Sequence, residues 1–409
     1  MKYTYKHTRN ACYLGLATQA VINNLAPLLF ILFQDEFGIS YEKIGRLILI
    51  NFLTQLAVDL LAAKFADKMG YRLTMCLAHI FCAAGLVSLG VLPKLMPSPY
   101  LGLVISVVIY AIGGGMLEVQ VSPLVNSIPS SGEKSSSMSL LHSFYCWGQV
   151  VVVLVTTLLL RFLGNGIWPF IPPLWAIMPL YNLYRCFKIP YPEPVAESEK
   201  TPARVLFRSG IFRIALILML CAGAAELTMS QWSSLFAERG LGVPKVLGDL
   251  LGPCLFAVLM GVGRTLYGVL GHRLHLKRVL LLCGGLCVLC YLAAAFSRNP
   301  VLALAGCALC GFSVSLMWPG TFSLSAEYYP NGGTSMFAFL AVFGDLGCAV
   351  GPWMAGLVSD AVQRAQAAAV PLETAESIGL RSGLLLGTIF PVLLLIGLLF
   401  LRQRKEASA

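Results

Sequence analysis

The sequence predicts an all-α membrane protein with twelve transmembrane helices in two six-helix halves. Three observations carry this. Apolar residues make up 57% of the 409 and charged residues only 12%, whereas a soluble domain averages about 25% charged. Twelve apolar stretches follow one another along the chain, each near the roughly 20 residues that cross a bilayer as a helix. One polar segment, 188–210, divides them six and six.

The twelve spans read 11–33, 42–63, 73–92, 101–125, 138–160, 168–187, 211–236, 247–270, 278–297, 301–324, 335–358 and 380–401. Each is expected to be helical, because a helix satisfies its own backbone where lipid offers no partners. Lys2, Lys6 and Arg9 precede a first span long enough to cross, so no cleavable signal peptide is expected. The connections are short and carry turn residues such as Pro93, Gly164, Pro300 and Pro330. The segment 188–210, with Pro190, Pro192, Pro194 and Pro202, reads as a cytoplasmic linker between a half at 1–187 and a half at 211–409. In the outer segment 360–378, residues 361–370 read as a short surface helix.

The net charge of +10 points to lipid headgroups, not to nucleic acid. Placing both termini in the cytoplasm gathers most of the 29 Lys and Arg there, among them Lys64, Lys68, Arg72, Arg204, Arg208 and Arg404. That is the positive-inside bias. No Asn-x-Ser/Thr sequence occurs, which favours a bacterial cytoplasmic membrane. The 13 cysteines lie nearly all within spans. Cys287, Cys290, Cys307 and Cys310 have a zinc-ribbon spacing, but on two apolar helices they are expected to pack as small hydrophobes. No metal and no cofactor is expected. The loops are too short for a catalytic domain, and no nucleophile–base motif or phosphate loop appears.

The halves repeat weakly. Ala63-Lys-Phe-Ala-Asp67-Lys68-Met-Gly70-Tyr-Arg72 follows the second span, and Gly268-Val-Leu-Gly271-His272-Arg273 follows the eighth. Parallel duplication of six spans marks one large transporter class. The first of these segments resembles the G-x-x-x-D-[RK]-x-G-[RK]-[RK] signature of the major facilitator superfamily, departing at Ala63 and Tyr71. Within it the chain resembles the fucose–proton symporters. The carriers are Asn23-Asn24-Leu25 in the first span, Gly115-Met-Leu-Glu118-x4-Pro123-x-Val125 in the fourth, and Leu141-His142-Ser143-Phe144-x-x-x-Gly148 in the fifth. The resemblance implies a proton-coupling role for Glu118. It also implies an aspartate soon after Asn-Asn-Leu, where this chain has Ala26 and Pro27.

A charge inside a span is costly, so each one is a functional candidate. Gly114, Glu118, Ser122 and Asn126 share one face of the fourth span, a stripe suited to a wet cavity where Glu118 exchanges protons. The fifth span offers Ser139, His142, Ser143, Cys146 and Gln149, with His142 where the sugar family tends to have Gln. Glu226 in the seventh span shares a face with Ser230 and Ser233 and is a candidate replacement for the missing aspartate. Arg264 in the eighth span and Asp345 in the eleventh are expected to pair with each other, or either with another helix. Asp59, in register with Asn51 and Gln55, joins Asp67, Lys68 and Arg72 as a gate latch. Against each stands a plain structural role: a packed histidine, a structural ion pair, or a solvated loop.

The substrate-binding candidates are Asn23, Asn24, Ser122, His142, Gln149, Trp232 and Trp318. Trp318-Pro319-Gly320 is expected to break the tenth span locally. The reading is a monomeric transporter that alternates access to one small polar solute, such as a sugar, entering with a proton. The alternatives are proton-driven export of amphipathic molecules, or a membrane sensor that transports nothing.

Overall fold

The computed structural model describes residues 3–39, 41–128, 134–193, 202–244, 247–248, 250–367 and 369–401. The described residues form helices and connections, without a strand. Nine of the helices are long and apolar enough to cross a membrane: Met69–Leu95, Pro99–Ser127, Ser136–Leu163, Gly210–Gly240, Leu250–Leu270, Leu276–Phe296, Pro300–Tyr328, Ser335–Gln366 and Leu372–Phe400. They carry the third to fifth and the seventh to twelfth spans. The other three spans are helical too. The first lies in Tyr5–Phe37 and the second in the leading part of Tyr41–Leu95. The sixth is broken into Asn165–Phe170, Ile171–Trp175 and Ile177–Cys186. Pro169, Pro172, Pro173 and Pro179 explain those breaks, because each removes a backbone donor.

Two sequence boundaries shift. The signature segment is no extended loop: helix continues through it and breaks only at Gly70, with φ 74 and ψ 155. That left-handed conformation favours glycine. The segment 361–366 is no separate surface helix either. It prolongs the eleventh span, which runs Gly333–Gln366. π-helical turns end the seventh span at Phe236–Gly240 and open the eighth at Leu250–Cys254, the latter holding Pro253.

The chain divides into two compact units. One comprises Met1–Ser131, Leu141–Glu199 and Gly333–Val342; the other comprises Gly132–Leu140, Lys200–Gly332 and Phe343–Ala409.

In the first unit, the third, first and sixth spans share a buried polar knot. His79 Nδ1 meets the Met75 carbonyl at 2.6 Å. The Asn182 amide reaches His79 Nε2 at 2.7 Å and donates to the Ala11 carbonyl at 2.8 Å. Trp168 is flanked edge-on by Phe33 and Phe37 and donates to Glu36, which pairs with Lys94 at 3.0 Å.

In the second unit, small residues let the seventh and eleventh spans touch. A Cβ at Gly347 would collide with the Leu220 carbonyl and stand 3.0 Å from the Ala224 nitrogen; one at Gly351 would be 2.6 Å from Thr228 Oγ1. Such backbone contact is how helices associate in lipid, where burial of apolar surface adds no drive. Gly285 on the ninth span has nothing within 4 Å of that position. Gly347→Val should therefore lower thermal stability in detergent by about 1–3 kcal/mol or more, whereas Gly285→Val should leave the melting temperature near wild type. Equal melting of the two variants would refute this account of the packing.

Candidate functional site

The first unit gathers a polar cluster from four spans. Asn23 Oδ1 accepts from Asn51 Nδ2 at 3.1 Å and from Gln55 Nε2 at 3.0 Å. Asn23 Nδ2 points to the Tyr145 hydroxyl at 3.5 Å. Asn51 and Gln55 are four residues apart, so one face of the second span presents both amides to one residue of the first. Gln55 also lies along Gly114, where a Cβ would be 3.3 Å from its Oε1. Asn24, by contrast, donates to the Ala20 carbonyl of its own helix at 2.8 Å.

Glu118 is buried on the fourth span. Its Oε2 accepts from Gln19 Nε2 at 2.6 Å, a contact between the first and fourth spans. A short N–H···O bond to a carboxyl group is among the stronger hydrogen bonds available. One turn further, Ser122 Oγ lies 3.1 Å from His142 Nε2 on the fifth span. His142, Gln149 and Asp59 are all buried. The expected stripes therefore place Glu118, Ser122 and His142 along one polar seam.

The second unit builds a different centre. Arg264 Nη2 meets Glu226 Oε2 at 2.9 Å, with both side chains nearly enclosed. Arg264 thus pairs with another helix, the seventh span, through Glu226. Arg264 Nε also donates to the Ser315 carbonyl at 2.8 Å. The cause lies four residues on. Pro319 has no N–H, so the Ser315 carbonyl loses the donor an α-helix would supply. The tenth span consequently stops at Val314 and restarts at Met317. The break expected at Trp318-Pro319-Gly320 falls just before it, and Arg264 fills the gap that the proline leaves. Ser139 Oγ, in the same unit, donates to the Arg264 carbonyl at 2.8 Å.

Trp318 is buried against Gly344, next to the buried Asp345. The Trp232 indole donates to the Pro352 carbonyl at 3.2 Å. Arg72 donates to the carbonyls of Phe187 and Ile189 at 2.7 and 3.2 Å, and its guanidinium covers the Tyr191 ring at 5.3 Å. It anchors the start of the linker on the end of the sixth span. The side chains of Asp67 and Lys68, its companions in the expected latch, lie outside the described residues.

None of the thirteen cysteines forms a disulfide. Cys287 and Cys310 face each other across the ninth and tenth spans with sulfurs 3.8 Å apart.

Sequence reasoning left Gln19, Tyr145 and Ser315 out of the site. Gln19 had a signal, the four-residue spacing from Asn23 on one helical face. The Ser315 carbonyl had one in Pro319, whose i−4 partner it is.

The family model for the Major Facilitator Superfamily matches residues 12–352 and 253–408. No curated protein matches the chain in sequence. Among solved structures it is similar to the E. coli fucose:proton symporter FucP, with 18% identity, a TM-score of 0.74, and 99% of this chain and 100% of that chain covered. The proton:xylose symporter XylE gives 13% identity, a TM-score of 0.77 and 94% coverage of each chain. The human organic anion transporter MFSD10 gives 16%, 0.69, and 96% and 99% coverage. At these identities the likeness is one of fold. An all-helical, multi-pass membrane chain matched by that model over most of its length is a transporter, not an enzyme, and belongs to the Major Facilitator Superfamily.

Proposed function

We propose that the chain is a proton-coupled importer of a small polar solute, with a sugar as the leading substrate class, working by alternating access as a single chain. The observation that carries this is a buried acid in each unit held by a polar partner inside the membrane span: Glu118 by Gln19 and Glu226 by Arg264. Buried membrane carboxyls are costly and mark proton pathways. The amide cluster of Asn23, Asn51 and Gln55, with Tyr145 beside it, supplies the mix of donors and acceptors that recognises hydroxyl groups. Two of the similar structures are sugar–proton symporters, which supports the same solute class.

In this reading Glu118 and Glu226 carry the coupling proton. Asn23, Asn24, Ser122, His142, Gln149, Trp232 and Trp318 contact the solute. Asp59, Asp67, Lys68, Arg72, Arg264 and Asp345 serve the gates. The chain sits in a bacterial cytoplasmic membrane with both termini inside, as halves 1–187 and 211–409 joined by 188–210. The energy source is the proton gradient, without a further cofactor.

The test is uptake into proteoliposomes with the interior made alkaline, using labelled L-fucose and D-xylose beside labelled amphipathic cations. Gradient-driven sugar accumulation is the expected result. Expulsion of the cations with no sugar uptake would establish export instead, a reading that the apolar, Cys- and Met-bearing spans favour.

A further inference from the structure

Glu118 receives a hydrogen bond from a glutamine, and the choice of glutamine is informative. Gln19 and Glu118 are both buried, and Nε2 to Oε2 is 2.6 Å. A lysine at this place would satisfy only the charged carboxylate. An aspartate would tolerate only a protonated partner. An amide suits both states: its N–H₂ donates to the carboxylate, and its Oε1 accepts from the carboxylic O–H after the amide turns over. A buried acid that changes protonation without such a neighbour would leave an unpaired polar group in one state, at a cost that lipid surroundings do not relieve.

Placement strengthens the point. Gln19 is on the first span and Glu118 on the fourth, so the bond ties two helices together. Four residues along the same face, Asn23 ties the first span to the second through Asn51 and Gln55. Gly15, four residues before Gln19, would place a Cβ 3.4 Å from Leu117 and 3.5 Å from Val121, so the two helices pack closely beside the bond. Ionisable groups on the elements packed against the fourth span include Tyr13 on the first, Asp59 on the second, Tyr71, His79 and Cys82 on the third, and His142 and Tyr145 on the fifth.

We propose that Gln19 is the positioning residue for Glu118, holding its carboxyl in both protonation states and thereby linking proton occupancy to the packing of the first span on the fourth. This rests on the reading that Glu118 takes a proton, and the experiment separates the two claims.

The probe is the proton itself, followed by infrared difference spectroscopy of the purified full chain in liposomes on acidification. Wild type is expected to show a carboxylic C=O band that Glu118→Gln lacks. In Gln19→Met that band should persist at higher wavenumber, because the carboxylic group has lost its hydrogen bond to the amide. Gln19→Asn, which keeps an amide but is one methylene too short, should show the same shift and guards against a folding defect in the first variant. A band at the wild-type position in both variants would overturn the role of Gln19. No band lost in Glu118→Gln would instead overturn proton binding at Glu118, and the inference with it.

Discussion

Replacing Arg264 with leucine is expected to destabilise the protein by roughly 3–5 kcal/mol, the range for breaking one side of a buried ion pair. Two groups lose their partner at once. Glu226 becomes an enclosed carboxylate without its cation, and the Ser315 carbonyl, already without a helical donor because of Pro319, loses Arg264 Nε. A drop in melting temperature in detergent reads the loss. Arg264→Lys should lose less, since it keeps the charge but not the planar fork that serves both partners. Combining Glu226→Leu with Arg264→Leu should recover much of the loss, because paired removal leaves no bare charge. Adding Pro319→Ala should recover more, by restoring an N–H to Ser315. Wild-type melting of Arg264→Leu would mean that this centre contributes nothing to the fold.

The second large effect is functional. Glu118→Gln preserves shape and a hydrogen-bonding amide while removing the ability to gain or lose a proton. The rate of gradient-driven uptake of a transported sugar should fall about a hundredfold or more, the range expected when a positioned proton-transfer group is removed. Exchange of labelled for unlabelled sugar across the same membrane should continue, because exchange needs only the solute-bound protein to change access. Loss of both activities would make Glu118 a structural residue. Retention of both would make it irrelevant to coupling.

The fold was legible because its cause is compositional. Long apolar runs separated by charged turns leave a bilayer-spanning helix as the one structure with a satisfied backbone. The polar stripes were legible for the same reason, since a period near four places Asn51 with Gln55, and Glu118 with Ser122, on common faces. What the sequence concealed are partnerships between helices. Glu226 and Arg264 are 38 residues apart, and nothing in local spacing says that Arg264 meets this acid. Gln19 and Glu118 are 99 apart. The continuation of helix through the signature segment to Gly70 was hidden for another reason. Polar residues there resemble a loop by composition, yet the backbone remains helical up to the one position with φ 74.

Pro319 shows how a local rule and a distant residue combine. The rule that proline removes a donor predicts an open carbonyl four residues earlier. Which group closes it depends on tertiary packing, and here the answer is also the counter-ion of a buried acid. One arginine thus links the break in the tenth span to the charge in the seventh.

The central claim is that solute and proton enter together through Glu118. The most direct measurement is external pH in a weakly buffered suspension of proteoliposomes when a transported sugar is added without any imposed gradient. The account predicts alkalinisation outside, as protons follow the sugar inward, and its absence in Glu118→Gln. Sugar entry with no change in external pH, or the same change in Glu118→Gln, would contradict it.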